Sequence, residues 1–561
     1  MTKPTLQSGV TLLILAVGLA VSQAQTSTSA AKPAAPAASP PAAAPSEFDE
    51  FVNQTKKPVD WLTWGADLRL RNEYFNNALS LNQGTANNEQ DYFRFRGRVW
   101  ASVMPMTNLS LNARFSGEPR EWMKAPSASG AYGGRSGLEE RYGILDIANV
   151  KWNNALDSPL SITAGRQDIA LGDYYDWWLV LDGTPGDGSW TFFLDSIRLG
   201  YDAKEIKTKF DAVYIYHNAL PDEWIPTLGR SSQNRPPGAP ADVPYNLTEQ
   251  NEQGVILYAS NKSVKNTQID GYFIYKQDDH INEIANGDDA DIYTIGAKIT
   301  GSFAEHWTYS MEGAYQFGTK TDPYWNNPSG LNTTEADIDA IGAKAKLSYL
   351  FKDKLNNQPY LFYEFLSGDD PSTEEDEMFD VLWARWPRWS EMYIYSYVNE
   401  TSCKIAQMNN IHRIGLGWSI DPMKNMNFLV NYSALLADQE VPTRAVGAGA
   451  VGGAAPLFSG DGSFRGHYVQ AILKHKFNKY VSGHLWSEFV WMGDFYTNRE
   501  LMSFSPHGAV LDVEVGHPAT QLDGLVAGHL QLQYFPEMQA ELLHHQPAHF
   551  AAGDDQSHLA V

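Results

Sequence analysis

The sequence predicts an all-β protein: a transmembrane antiparallel β-barrel of about 18 strands with long extracellular loops and short periplasmic turns. Three observations predict it. Apolar and polar residues alternate with a period of two from Trp61 onward, the links between alternating stretches are long and short in turn, and the N-terminus carries an export signal. The chain has 561 residues, with 42 Lys and Arg against 66 Asp and Glu, a net charge of −24. Apolar residues make up 43%, charged residues 19% and aromatic residues 12%. That balance argues against a disordered chain, and its acidity argues against nucleic-acid binding. A mean hydropathy of −0.37 and the lack of a second long apolar run exclude a helical membrane bundle. One cysteine, Cys403, excludes an internal disulfide framework and a multi-cysteine metal site.

Residues 1–24 read as a signal peptide. Lys3 supplies the positive start, Val10 to Val21 form the apolar core, and Ser22-Gln23-Ala24 offers small residues at a cleavage site. Residues 25–59 read as a linker, because Gln25 to Ser46 contain nine Ala and five Pro and almost no charge. The barrel is expected over 60–536, with a polar tail at 537–561.

The first strand follows from Trp64, Ala66, Leu68 and Leu70 alternating with Asp67, Arg69, Arg71 and Glu73. The second follows from Phe93, Phe95, Gly97 and Val99 between Arg94, Arg96 and Arg98, and the third from Leu109, Leu111, Ala113 and Phe115 between Asn112, Arg114 and Ser116. Further strands are expected near 142–152, 159–169, 192–202, 207–217, 250–260, 266–277, 291–302, 306–320, 337–351, 358–367, 410–421, 425–437, 464–477 and 480–495, with the last near 524–535. Long links at 76–90, 116–141, 170–191, 218–249, 278–290, 321–336, 368–409, 438–463 and 496–523 alternate with turns such as Pro105-Met106-Thr107. Long loops on one rim and tight turns on the other fit a barrel in a membrane, and an even count puts both ends in the periplasm. A secreted soluble β-protein that binds or cleaves glycans is the alternative of another class.

The polar side of each strand then faces the lumen. The reverse would bury Arg94, Arg96 and Arg98 in hydrocarbon at about 2–4 kcal/mol each. With Arg69, Arg71 and Arg114 they form a basic wall over three strands, and Arg198 alternates inward by the same logic. Asp67, Glu73, Asp146, Glu364 and Glu488 are the acids expected to pair with inward cations. On the first three strands six arginines meet only two of these acids, Asp67 and Glu73. Guanidinium groups in excess in a confined channel favour anions with carboxylate or phosphate handles.

Acid-rich stretches, seven in Asp369 to Asp380 and six in Asp278 to Asp291, read as a solvated rim. Trp177 and Trp178 read as interfacial girdle, whereas Trp383, Trp386 and Trp389 lie in a long loop that could fold into the mouth and offer rings to sugars. There is no nucleophile elbow or phosphate loop, so neither catalysis nor a cofactor is expected. His544, His545 and His549, on a proline-broken tail, read as solvated rather than as metal ligands.

Several stretches resemble the alginate-export family of outer-membrane barrels. They are Tyr92-Phe93-Arg94-Phe95-Arg96-Gly97-Arg98, Gly165-Arg166-Gln167 with Gly172-Asp173, and Phe193 to Tyr201. Tyr363-Glu364-Phe365-Leu366-Ser367-Gly368-Asp369 and His484 to Tyr496 complete the set. The resemblance implies an 18-stranded barrel in a Gram-negative outer membrane that passes an anionic uronate polymer through an arginine-rich constriction. It adds Arg166 to Arg71, Arg94, Arg96, Arg98, Arg114 and Arg198 as path residues, although alternation from Leu160 would point Arg166 at lipid unless a bulge near Gly165 turns it inward. The implied partners are outer-membrane lipid and an anionic oligo- or polysaccharide, with room for a periplasmic export partner. Uptake of small anions or sugar acids is the alternative within the same fold; transport direction and oligomeric state are open.

Overall fold

Alternation of apolar and polar residues leaves each strand two chemically opposite faces, and a sheet of such strands hides its edges by closing on itself. The computed structural model describes residues 46–77, 89–124, 137–139, 143–169, 171, 193–220, 248, 250–281, 287–321, 335–370, 372–384, 389–390, 409–440, 459–497, 501–504 and 510–515. The stretches read as signal peptide and C-terminal tail lie outside them. So do residues 25–45 of the linker, Cys403, Trp177, Trp178, Trp386 and the three tail histidines.

The described strands form one sheet of 21 hydrogen-bonded segments. These make eighteen staves among the described residues: β1 Leu62–Asn76, β2 Glu89–Met106, β3 Leu109–Gly117, β4 Gly143–Ala155, β5 Leu160–Gln167, β6 Leu194–Ala203, β7 Thr208–His217, β8 Asn251–Asn261, β9 Thr267–Asp279, β10 Asp289–Phe303, β11 Trp307–Thr321, β12 Ala336–Tyr349, β13 Gln358–Leu366, β14 Ile411–Met423, β15 Met426–Leu436, β16 Phe464–Lys476, β17 Val481–Met492, and a two-part β18 of Leu501–Phe504 and Val510–Val515. After β3 the chain continues as Arg120–Lys124, still paired with β2, and Gly137–Glu139 folds back onto that extension. Neighbouring staves pair antiparallel throughout.

Closure comes from β18, which lies between β17 and β1. Val481 pairs with Val513, and Leu68 pairs with the same residue from the other side. The strand expected at 524–535 lies outside the described residues, and the strand that closes the sheet is β18. It falls within 496–523, the stretch expected to be a loop. A helix, α1 Glu47–Lys56, stands in the stretch expected to be linker. Its start is a reciprocal cap in which the Asp49 amide donates to Ser46 Oγ (3.2 Å) and the Ser46 amide to Asp49 Oδ2 (3.1 Å).

The short turns close through left-handed residues, among them Asn154, Asn266, Asn356 and Asn425. Asparagine tolerates that conformation better than most residues. On the outer face Leu68, Val99, Leu111, Val150, Ile197, Leu257, Ile295, Ile341, Leu361, Leu416 and Leu485 are all exposed, an apolar belt that only lipid would cover. Among the described residues no helix is long and apolar enough to cross a membrane. The strands do the crossing.

Candidate functional site

The inner face of β1, β2 and β3 carries the basic wall. Register sets Arg69 opposite Arg96 and Arg71 opposite Arg94, like charges facing each other across the first hairpin. Carboxylates between them offset the repulsion. Arg94 donates to Glu73 Oε1 (2.6 Å) and also to Glu118, which lies 3.4 Å from Arg69. Glu73 further accepts from Arg71 Nε (2.9 Å) and from the Tyr92 hydroxyl (2.5 Å). Asp67 pairs with Arg98 Nε at 2.7 Å and with Arg96 Nη2 at 3.4 Å. Arg114 pairs with Asp146 (2.8 Å) and Asp168 (3.3 Å).

The wall is thus an ion-pair network, and its acids outnumber the two that alternation on the first three strands suggested. Glu118, Asp146 and Asp168 join Asp67 and Glu73. Glu118 and Arg120 keep the inward alternation of Asn112, Arg114 and Ser116 past the break at Gly117 and Pro119. Arg120 lies over the rings of Tyr92 (4.7 Å) and Trp122 (6.0 Å). The cluster joins seven arginines (69, 71, 94, 96, 98, 114 and 120) to five carboxylates among the described side chains, and register sets Asp512 of β18 opposite Arg69 and Glu514 opposite Asp67. Most of it is buried, but the Arg98 side chain stays 12% exposed.

Arg198 lies inward on β6, pairs with Asp211 on β7 at 2.7 Å, and is 29% exposed. Arg166 sits opposite Asp195 in the register, but unlike Ile197 and Leu199 further along that strand its side chain is buried, 2% exposed. Gly165 does take a left-handed φ of 117°, but pairing stays in register on both sides of it, so no extra residue flips the face. Arg166 bonds both Asp195 oxygens (2.9 and 3.0 Å) and stacks on Phe193 (3.8 Å).

Across β9 to β14 the inner face carries a different pattern. Asp270, Lys298, Glu312, Lys344, Glu364 and Arg413 stand opposite one another in sequence, one per strand, with alternating sign. Glu364 takes Arg413 at 2.8 Å and Lys344 at 3.6 Å. This ladder is neutral as a set.

The long loop after β13 folds inside the wall. Asp376 makes a parallel bridge to Ile338 of β12, and the Phe379 ring lies over Gly342, where a Cβ would stand 2.7 Å from it. Gln316 of β11 holds Asp380 by both backbone groups (2.7 and 2.6 Å), and Trp383 Nε1 donates to Glu252 of β8 (3.1 Å). At the far end Trp389 O accepts from Tyr468 (3.0 Å) and Gln470 (2.6 Å) of β16, while Ser390 Oγ donates to Glu488 of β17 (2.6 Å). Arg413 lies 4.6 Å from the Trp389 ring. Every one of these anchors belongs to an inward face, so the loop reaches from β8 on one side of the lumen to β17 on the other. Trp383 and Trp389 are buried as anchors, so neither offers an exposed ring to a sugar. Glu488 is a fastening point for the loop.

The comparisons with known proteins bear on this geometry. Residues 239–505 match the alginate-export family. That match and the apolar belt place the chain in the outer membrane of a Gram-negative-type bacterium, and the reading as a secreted soluble protein falls. Solved structures with some likeness include OccAB3 of Acinetobacter baumannii (9% identity, 80% of this chain and 98% of that one, TM-score 0.47). OccK8 (OprE) of Pseudomonas aeruginosa has 11% identity over 80% and 97%, with a TM-score of 0.45. A search of curated proteins gave no match.

Proposed function

We propose that this outer-membrane channel passively exports an anionic, alginate-like polyuronate along the arginine wall of β1 to β3. The observation that carries the reading is the grouping of seven arginines on β1 to β3 and the extension after β3, with Arg98 and, further along the wall, Arg198 reaching water. Carboxylates on a sugar chain can exchange with Asp67 or Asp211 as partners of these guanidinium groups, a bidentate hand-over that needs no energy source beyond the gradient. The alginate-export match supports the substrate class.

Uptake of small sugar acids is the second reading, favoured by the loop tied across the lumen from Glu252 to Glu488, which narrows the path. Reversal potentials of the refolded protein in planar bilayers, followed by oligouronates of increasing length, separate the two. Polymer export expects anion selectivity and blocks that lengthen with chain length. Cation preference overturns the substrate class, and blocks independent of length favour the small-solute reading.

A further inference from the structure

On the outer face of β6 to β9, near the short-turn rim, small residues interrupt the apolar belt. Ala212, Ala259 and Gly271 form the floor of a groove of about 570 Å³, and a Cβ added at Gly271 would meet nothing within 4 Å. Leu199, Tyr201, Phe210, Leu257 and Phe273, all exposed, form its walls. Register explains the shape. Phe210 stands opposite Ala259 and Ala259 opposite Gly271, while Leu199 and Leu257 flank Ala212, so large and small side chains alternate across the strands. The open end points to the periplasmic rim.

Two turns crown that end, and they are fastened together. The Lys262 amide donates to Lys207 O (2.9 Å), and Asn261 Nδ2 donates to Ile206 O (3.1 Å) and Thr208 Oγ1 (2.7 Å). The result gathers Lys204, Lys207, Lys262 and Lys265, all exposed, with Glu205 the one acid on these two turns. An apolar slot beneath a lysine cluster, in a chain of net charge −24, matches one class of ligand in both its halves.

We infer that this groove binds an anionic phospholipid of the inner leaflet, with an acyl chain over Ala259 and Gly271 and the phosphate at the lysine turns. Basic clusters beside a membrane-facing surface select anionic headgroups, and the slot supplies the contact that a free anion lacks. The site faces away from the lumen and stands independently of what the channel carries.

Native mass spectrometry of the detergent-purified protein, titrated with phosphatidylglycerol or phosphatidylethanolamine of identical acyl chains, tests the inference. The wild type should retain phosphatidylglycerol about tenfold more tightly. A Lys204→Gln, Lys207→Gln, Lys262→Gln, Lys265→Gln variant should bring it to the phosphatidylethanolamine level. Gly271→Leu, which fills the slot without touching charge, should weaken both lipids. Excess glycerol phosphate should leave the lipid adduct in place. Equal retention of the two lipids by the wild type, a preference that survives loss of the lysines, full binding by Gly271→Leu, or displacement by glycerol phosphate would each overturn it. Heat-modifiable migration shows that each variant is folded.

Discussion

Asp67→Asn should make the channel more anion-selective, by an amount the structure bounds. Asp67 holds Arg98 and Arg96 at 2.7 and 3.4 Å, and Arg98 is the arginine of the cluster with most access to water. Removing the carboxylate charge leaves both guanidinium groups without it. An anion passing about 7 Å from the unmasked charge gains about 0.6 kcal/mol in bulk water and about 2.4 kcal/mol at an effective dielectric near 20. An intermediate value of about 1 kcal/mol corresponds to about a fivefold rise in the anion-to-cation permeability ratio. The assay is the reversal potential under a KCl gradient near 0.1 M, where the Debye length of about 10 Å lets the charge act across the path. Raising the salt to about 1 M shortens that length to about 3 Å and should erase most of the difference. A ratio that stays put or falls at low salt would show that ions travel out of reach of this wall, and the arginine path would be abandoned.

Arg98→Gln should lower the permeability ratio by a similar factor, whereas Lys344→Gln, one rung of the neutral ladder, should change it less; equal shifts in the same bilayer assay would refute the distinction between the two walls. Glu118→Gln should lower stability by about 3–5 kcal/mol, since it strips two buried guanidinium groups of a shared carboxylate, read as the urea midpoint of the heat-modifiable band. Phe379→Ala removes the ring seated over Gly342 and forfeits up to about 3–5 kcal/mol of local packing, so the inner loop should loosen and single-channel conductance should rise in a still-folded barrel. Unchanged conductance would mean that the loop does not limit the path.

Most of the barrel was legible because a half-buried strand writes its two faces directly into the chain. The strand expected at 207–217 runs Thr208–His217, and the one expected at 306–320 runs Trp307–Thr321. The closing strand was missed for a physical reason. Leu511, Val513 and Val515 alternate with Asp512 and Glu514, yet the run is short and broken from Leu501–Phe504, while residues 524–535 offer a longer apolar run with an aromatic end. What singles out 510–515 is pairing with Leu68 and Val481 at once, a relation between residues more than 400 positions apart. Turn chemistry was equally local and equally readable at Asn266 and Asn425.

The site was legible in its cations and not in their balance. Arginine on a polar face declares its direction through the cost of the alternative, so Arg94, Arg96 and Arg98 were placed correctly from one strand alone. Their partners depend on where a strand stops. Gly117 and Pro119 looked like an end, yet alternation through Ser116, Glu118 and Arg120 carries on, and Glu118 proves to be the carboxylate that holds Arg69 and Arg94 together. At Gly165 the register carries no extra residue, and the Arg166 side chain is buried over Phe193 instead. The two walls differ for a reason visible only after closure. From β9 to β14 Lys298 and Lys344 each stand between acids of neighbouring strands and Arg413 stands opposite Glu364, so their fields are cancelled within about one strand spacing of 5 Å. On β1 and β2 like charges were set opposite each other and the compensating acids were drawn partly from outside the hairpin, from Glu118 and Asp168. A ladder that cancels rung by rung stiffens the barrel and projects little field into the lumen. A cluster in which Arg69 faces Arg96 and Arg71 faces Arg94 groups its cations side by side, and that grouping gives the channel a preferred side for an anion.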